Sequence, residues 1–270
     1  MEFMKVYIVD AFTSEPFKGN PAGVCLVDSF PSDAECLKIA AELNLSETAF
    51  VKRESEENRF SIRWFSPKVE VKLCGHGTLA SAHILWEEKL VQGSDIQFDS
   101  LSGPLFVKRN DNFITLNFPA QVLTLIEHPP AGLLEALNET PLAVYKFAED
   151  LLVELENEDK IYNFVPDFEK ILAVNCRGII ITARGKGEFD FVSRFFVPRG
   201  GVPEDPVTGS AHCKLVPYWG SKLNKRQFKA YQASPRGGTL NLEWLDDRVL
   251  LSGEAVTVLK GDLNIPIVNP

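Results

Sequence analysis

The sequence predicts an α+β protein built from two similar, strand-rich halves. Three observations carry this expectation: period-2 alternation along much of the chain, only three segments of helical character, and a set of landmarks that recurs at nearly constant spacing.

Strands are read from alternating apolar and polar positions rich in β-branched and aromatic residues. In the first half these are "KVYIVDAF", "TAFVKR", "FSIRWF", "IQFDSLSGPLFVKR" and "NFITLNF"; in the second they are "GIIITAR", "FDFVSRFFV", "GTLNLEWL" and "RVLLSG". Helices are expected over 32–44, where Ser32 or Asp33 can cap, over 77–89, and over 209–219, which carries Pro217. The 77–89 segment is apolar almost all round at its start, and such a helix must be enclosed by other elements.

The repeat is read from three pairs of landmarks. "RWFSP" at 63–67 matches "RFFVP" at 194–198, with 194 − 63 = 131. Gly77-Thr78 falls opposite Gly209-Ser210, with 209 − 77 = 132, and "SLSGPL" at 100–105 resembles "SPRGGTL" at 234–240, with 234 − 100 = 134. Landmarks that keep their order and drift by so little predict duplicated, pseudo-symmetric lobes. The expected division is 1–118 for the first lobe, a loop-like linker at 119–129 within "PAQVLTLIEHPP", 130–260 for the second lobe, and a tail at 261–270 that returns to the first. Pseudo-two-fold pairing would set the two helix starts face to face. Helix N-termini present free N–H groups and a positive dipole end, which suits a cleft for a carboxylate.

Composition narrows the function. A formal charge of −9 on 270 residues argues against nucleic acid, whose phosphates call for clustered Lys and Arg. No apolar stretch approaches a membrane span, and the start reads as a strand rather than a signal peptide. Five scattered cysteines without C-x-x-C spacing suit reduced thiols, so a cytoplasmic location is expected.

For chemistry, a metal is discounted because His76 and His83 lie two helical turns apart, Cys74 and His76 are only two residues apart, and no H-E-x-x-H occurs. A serine nucleophile lacks its G-x-S-x-G elbow around Ser210, and "RGKGEF" is neither a phosphate loop nor a dinucleotide fingerprint, so no nucleotide is expected. General acid–base groups beside an anion cradle fit better: Glu47 in "LNLSETAF", His76 and Asp205, with Gly75, Gly77, Gly209 and Ser210 near the helix starts. Each has a plainer reading: Glu47 as a solvated turn carboxylate, His76 as a cap or core histidine, Asp205 as a turn former before Pro206, and Ser210 as the start of a helix.

Four stretches in order, "DAFTSEPFKGNPAGVCLV", "ELNLSETAFV", "RWFSPKVEVKLCGHGTLASAH" and "FVPRGGVPEDPVTGSAHC", make the chain resemble the phenazine-biosynthesis PhzF-like family. The resemblance implies the diaminopimelate-epimerase-like fold, two lobes that are each a barrel-like sheet around a central helix, and a homodimer. It also implies isomerisation of a small carboxylate such as dihydro-hydroxyanthranilate without cofactor or metal, with Glu47 as a single proton shuttle. His76 and Asp205 would hold the substrate's amino or hydroxyl groups, and the N–H groups near Gly75, Gly77, Gly209 and Ser210 would hold its carboxylate. A shuttle of this kind needs a carboxyl that both takes and returns a proton near neutral pH. The epimerase relatives use two opposed cysteines; Cys74 stands at the first such position, but 74 + 132 = 206 is Pro206, which speaks against two-thiol chemistry here. A retained pocket without turnover, in a ligand-binding or interaction protein of the same fold, is the alternative.

Overall fold

The computed structural model describes residues 4–264, which divide into two compact units. The first comprises residues up to Asn117 together with the chain from Ser252 onward, and the second is Phe118–Leu251.

In the first unit, β1 (Met4–Ala11) runs antiparallel to β2 (Asn20–Val27), and β2 lies parallel to β3 (Glu47–Arg53). A parallel pair needs a crossover, here α1 (Asp33–Leu43). Ser32 and Glu35 form a reciprocal capping box at its start, and Asn44 closes it in the left-handed region at φ 49°. Next, β3 pairs antiparallel with β4 (Arg59–Phe65), and β4 pairs antiparallel with the short β5 (Glu70–Val71). A second crossover, α2 (Gly75–Glu87), leads to β6 (Asp95–Ser100) parallel to β4, followed by the antiparallel strands β7 (Gly103–Asn110) and β8 (Phe113–Pro119).

The second unit repeats this pairing scheme. After β9 (Thr124–Leu125), α3 (Leu133–Leu137) and β10 (Ala143–Phe147), β11 (Asp150–Glu154) runs antiparallel to β10. Two short helices, α4 (Glu158–Tyr162) and α5 (Phe168–Ala173), precede β12 (Gly178–Arg184), which is parallel to β11. Then β13 (Phe191–Val197) pairs antiparallel with β12 and with β14 (Val202–Asp205), and α6 (Gly209–Leu223) crosses to β15 (Gln227–Gln232), parallel to β13. The antiparallel β16 (Gly238–Leu245) and then β17 (Arg248–Gly253) follow. The order antiparallel, parallel, antiparallel, antiparallel, parallel, antiparallel is thus the same from β1 to β7 as from β10 to β16. The duplication read from the sequence is therefore a duplication of topology.

Two of the sequence boundaries change. Residues 119–129 contain β9, which pairs with β10, so this segment belongs to the second unit rather than to a linker. The last strand, β18 (Ala255–Leu263), pairs along the whole of β1, so the chain re-enters the first unit before residue 261. Of the expected returning tail, 265–270 lie outside the described residues.

Both long crossover helices are enclosed, each within its own unit. α2 buries ten of its residues against β1, β2, β3 and β18. Burial of side chains such as Leu79, Ile84 and Leu85 contributes about 1.5–3 kcal/mol apiece, which is what holds an all-round apolar helix inside strands. α6 is buried from Ala211 through Gly220, although Pro217 sits inside it. Proline has no N–H for the Cys213 carbonyl, and the Gln121 N–H donates to that oxygen instead at 2.9 Å. Among the described residues no helix is long and apolar enough to cross a membrane.

Candidate active site

Glu47 is the first residue of β3, opposite Ala22 of β2, so its position is fixed where the α1 crossover delivers the chain into the sheet. His76 is the second residue of α2 and is buried. The structure brings them together: Glu47 Oε2 lies 3.2 Å from His76 Nε2, and the Glu47 side chain keeps 22% of its surface exposed. Behind the ring, Asn20 at the start of β2 places its carboxamide nitrogen 3.2 Å from His76 Nδ1. Cys74 Sγ lies 3.6 Å from Nδ1 and 3.7 Å from Nε2.

This surrounding handles protons in either state of the ring. With the amide nitrogen toward the ring, Asn20 donates to a bare Nδ1 and leaves the Nε2 proton for Glu47; with the amide turned over, its oxygen accepts from a protonated Nδ1. Burial works against the imidazolium, but Cys74 and Glu47 outweigh it and His76 is held well above the ordinary histidine range. Burial pushes the Cys74 thiol up, opposed by His76 and by the Gly77 N–H.

Cys74 is the N-cap of α2, and its sulfur accepts from the Gly77 N–H at 3.3 Å. That donor, expected to face a substrate carboxylate, is already engaged. A methyl on Gly77 would meet Cys74 Sγ and Trp64 Cδ1 at 3.0 Å, which explains the glycine there.

In the second unit, Asp205 ends β14 and its Oδ2 accepts from the Thr208 hydroxyl at 2.5 Å. Gln232 ties the turn together: its Oε1 accepts from the Thr208 N–H at 2.8 Å, and its Nε2 donates to the Asp205 carbonyl at 2.7 Å. Because the Thr208 hydroxyl is turned to Asp205, this N-cap residue makes no side-chain cap, unlike Cys74. Gly209 opens α6 and is buried, and Ser210 beside it is exposed. Below them the Lys214 ammonium, almost wholly buried, donates to the Ser210 carbonyl at 3.1 Å and pairs with Asp150 at 3.0 Å. Arg177 also grips Asp150, with Nε to Oδ1 at 2.7 Å and Nη2 to Oδ2 at 2.5 Å. Despite burial, these two cations hold the Asp150 carboxyl below its usual range.

His212 is no base for Ser210. Its Nδ1–H donates to the Thr208 carbonyl at 2.8 Å, and burial depresses its pKa to about 4, so it is neutral.

The helix starts also correct the alignment of the halves. Cys74 occupies the N-cap position of α2 and Thr208 that of α6, an offset of 208 − 74 = 134, and Glu70 and Glu204 keep the same offset. The counterpart of Cys74 is thus Thr208 rather than Pro206, and the second half offers a hydroxyl where two-thiol chemistry needs a sulfur.

A model of phenazine biosynthesis-like proteins, PhzC-PhzF, matches residues 9–261. The chain belongs to this family. A PhzF-family protein from Enterococcus faecalis has a crystal structure that superimposes with a TM-score of 0.93 at 40% identity, covering 98% of this chain and 100% of that one. A protein of Halalkalibacterium halodurans called an uncharacterized isomerase is 46% identical over 96% of this chain and 97% of its own length. Another so described, from Pseudomonas aeruginosa, is 47% identical over 97% and 99%. A hydroxyproline epimerase from Agrobacterium vitis matches at TM-score 0.61 and 10% identity, covering 98% of this chain and 94% of its own, which places the PhzC-PhzF chain in the epimerase fold.

Sequence reasoning missed Asn20, Thr208, Gln232 and Lys214. Asn20 and Thr208 sit inside the stretches that carry the family resemblance, so a signal existed for them; nothing local distinguishes Gln232 or Lys214.

Proposed function

We propose that this PhzC-PhzF family member is a cofactor-independent isomerase that moves a proton between two carbons of a small carboxylate, in the manner of a dihydro-hydroxyanthranilate isomerase. The observation that carries the reading is the 3.2 Å contact between Glu47 Oε2 and a buried His76 whose other nitrogen is backed by Asn20.

In this reading the Glu47 carboxylate takes the proton of an activated C–H bond, and the electron pair left on carbon delocalises into the substrate's neighbouring π system. Glu47, now a carboxylic acid, returns that proton to a second carbon of the same system, so nothing is gained or lost overall. His76 orients Glu47 by its Nε2 hydrogen bond. In the second unit, Asp205, Gly209 and Ser210 are proposed as substrate-binding groups: the first for an amino or hydroxyl group, the others for a carboxylate at an uncapped helix start. Names borne by relatives as isomerases support this reading, as does the local chemistry of Glu47.

The experiment has two stages. Small carboxylates are screened for stabilisation against heat, because a ligand that binds only the native state raises the melting temperature. Those that bind, and dihydro-hydroxyanthranilate, are then incubated with the protein in deuterated water. Isomerised product with partial deuterium at the accepting carbon supports a single enclosed carboxyl. Binding of several carboxylates with no change in any of them would overturn turnover in favour of a ligand-binding role.

A further inference from the structure

Gly178 holds in the second unit the place that Glu47 holds in the first. Each is the first residue of its strand, opposite Asp150 or Ala22 of the parallel neighbour, and each precedes the residue that faces Phe196 or Phe65. The second unit has no side chain there, because a methyl on Gly178 would meet Phe195 Cε2 at 2.6 Å and Cζ at 2.7 Å. The Phe195 ring fills the space, and the Arg177 guanidinium lies 5.6 Å above it. Strand alternation sets the direction. Phe191, four residues earlier on β13, stacks on His212 and Trp219 of α6, so Phe195 and its cross-strand neighbour Asp205 also face the α6 side. The position of a base has become an aromatic floor with a cation over it, beside Asp205.

Arg177 has one edge engaged and one edge spare. Its Nε and Nη2 bind the two oxygens of Asp150, which leaves the end-on edge of Nη1 and Nη2, and among the described residues nothing accepts from Nη1. The arginine side chain is 46% exposed, although its anchor, Asp150, is only 4% exposed. Lys214 shares that anchor, so two cations meet one buried carboxylate. The guanidinium's pKa is raised by the bonds to Asp150, against burial, and the nearby carboxylates of Asp205 and exposed Glu149 add to this. A spare edge of two parallel N–H donors matches a planar carboxylate. This edge is distinct from the helix start, since the path from the Ser210 carbonyl to Arg177 runs through Lys214 and Asp150 in contacts of 3.1, 3.0 and 2.5 Å.

We propose that Arg177 takes an acid group of the ligand on this outer edge, separate from the carboxylate assigned to Gly209 and Ser210, so that the protein selects small dicarboxylates. Asp205, on the same face, adds a partner for an amino group, and amino dicarboxylates therefore match best. The charge selection rests on the geometry around Arg177; that the selected dicarboxylate is also the compound isomerised rests on the isomerase reading above. Asp150 is the positioning residue: buried and bound at both oxygens, it fixes the plane of the guanidinium, so little rotamer freedom is lost when a ligand docks.

The test is isothermal titration of the full-length protein with aspartate, glutamate and 2-aminoadipate, each set against its side-chain amide, which keeps the shape and lacks the second charge. At least one acid should bind at least about tenfold more tightly than its amide. Arg177→Gln should remove that preference by weakening the acid about 10–100-fold while leaving the amide within about twofold, a split that a general loss of structure does not produce. Arg177→Lys keeps a charge but not two flat edges and should fall between. Lys186→Gln, which removes an exposed cation of the same unit, should leave the preference unchanged. Should Arg177→Gln fail to fold, Arg177→Lys and the wild-type comparison of acid with amide decide the matter. Equal binding or no binding of acid and amide across all three pairs, or equal weakening of both in Arg177→Gln, would overturn the proposal. If acids are preferred through Arg177 but neither they nor any other carboxylate is isomerised, the selection stands and the isomerase reading falls. If a monocarboxylate is isomerised with the same KM in wild type and Arg177→Gln, and the acids show no preference, the proposal falls and the isomerase reading stands.

Discussion

Arg63 holds Glu70 at two points, Nε to Oε1 at 2.7 Å and Nη2 to Oε2 at 2.8 Å, with its guanidinium 5.0 Å above the Phe65 ring. The second unit repeats the device: Arg194 meets Glu204 at 2.7 and 2.8 Å and lies 5.1 Å above Phe196. Planar two-point pairing and stacking are what a guanidinium offers and an ammonium does not. In each unit the pair joins the long central strand to the short strand that leads into the enclosed helix.

The two pairs differ in burial, and their variants should differ accordingly. Side chains of Arg194 and Glu204 are 7% and 9% exposed, against 23% and 24% for Arg63 and Glu70. Arg194→Ala strands Glu204 and also removes the donor to the Phe164 carbonyl at 2.6 Å, so a loss of about 3–5 kcal/mol is expected. Arg63→Ala should cost clearly less. Urea unfolding of both variants checks the order, and equal losses would contradict it.

Glu47→Gln keeps the hydrogen-bonding shape but cannot accept a proton. Turnover of whichever carboxylate is converted should fall by at least about 10²-fold, with ligand-induced heat stabilisation little changed. Steady-state kinetics alongside thermal shift reads both, and near-normal turnover would remove Glu47 from the mechanism.

Asn20→Asp replaces a neutral partner of His76 Nδ1 with a charged acceptor. The His76 titration should move further upward, because an anion beside the ring favours the imidazolium. Nitrogen-detected NMR of the ring against pH measures this; an unchanged titration would show that Asn20 does not govern the proton on Nδ1.

His212 sets part of the stability profile below neutral pH. Its folded pKa is depressed by burial to about 4 from an ordinary 6.5, so between these values the unfolded chain binds a proton that the native state refuses. Stability therefore rises with pH through this window and falls as the solution is acidified. Relative to pH 7, the loss at pH 5 should be on the order of 2 kcal/mol from this group. Denaturant unfolding of wild type and His212→Asn at the two pH values tests it. The variant should show a shallower dependence, and identical slopes would refute the assignment.

What the sequence determined by itself was the local grammar and, through it, the duplication. Alternation marks strands because side chains switch faces every residue, and the Pro and Gly turns recur because each half folds through the same tight corners. Glu47, His76, Asp205 and Ser210 were visible because short, distinctive stretches surround them. What only the tertiary structure decided was what lies beside what. Glu47 and Cys74 are 74 − 47 = 27 residues apart, yet a carboxylate oxygen and the sulfur come within 4.8 Å because β3 and the start of α2 converge. Likewise β18 joins β1 across nearly the full length of the chain, against the division the sequence suggested. The Thr208 hydroxyl turns to Asp205 instead of capping its own helix, which shows why the two helix starts, alike in sequence, present different donors. The physical reason is common to all three. Periodicity and turn chemistry act over a few neighbours and can be read along the chain, whereas a hydrogen-bond partner or close contact is chosen by packing between distant elements.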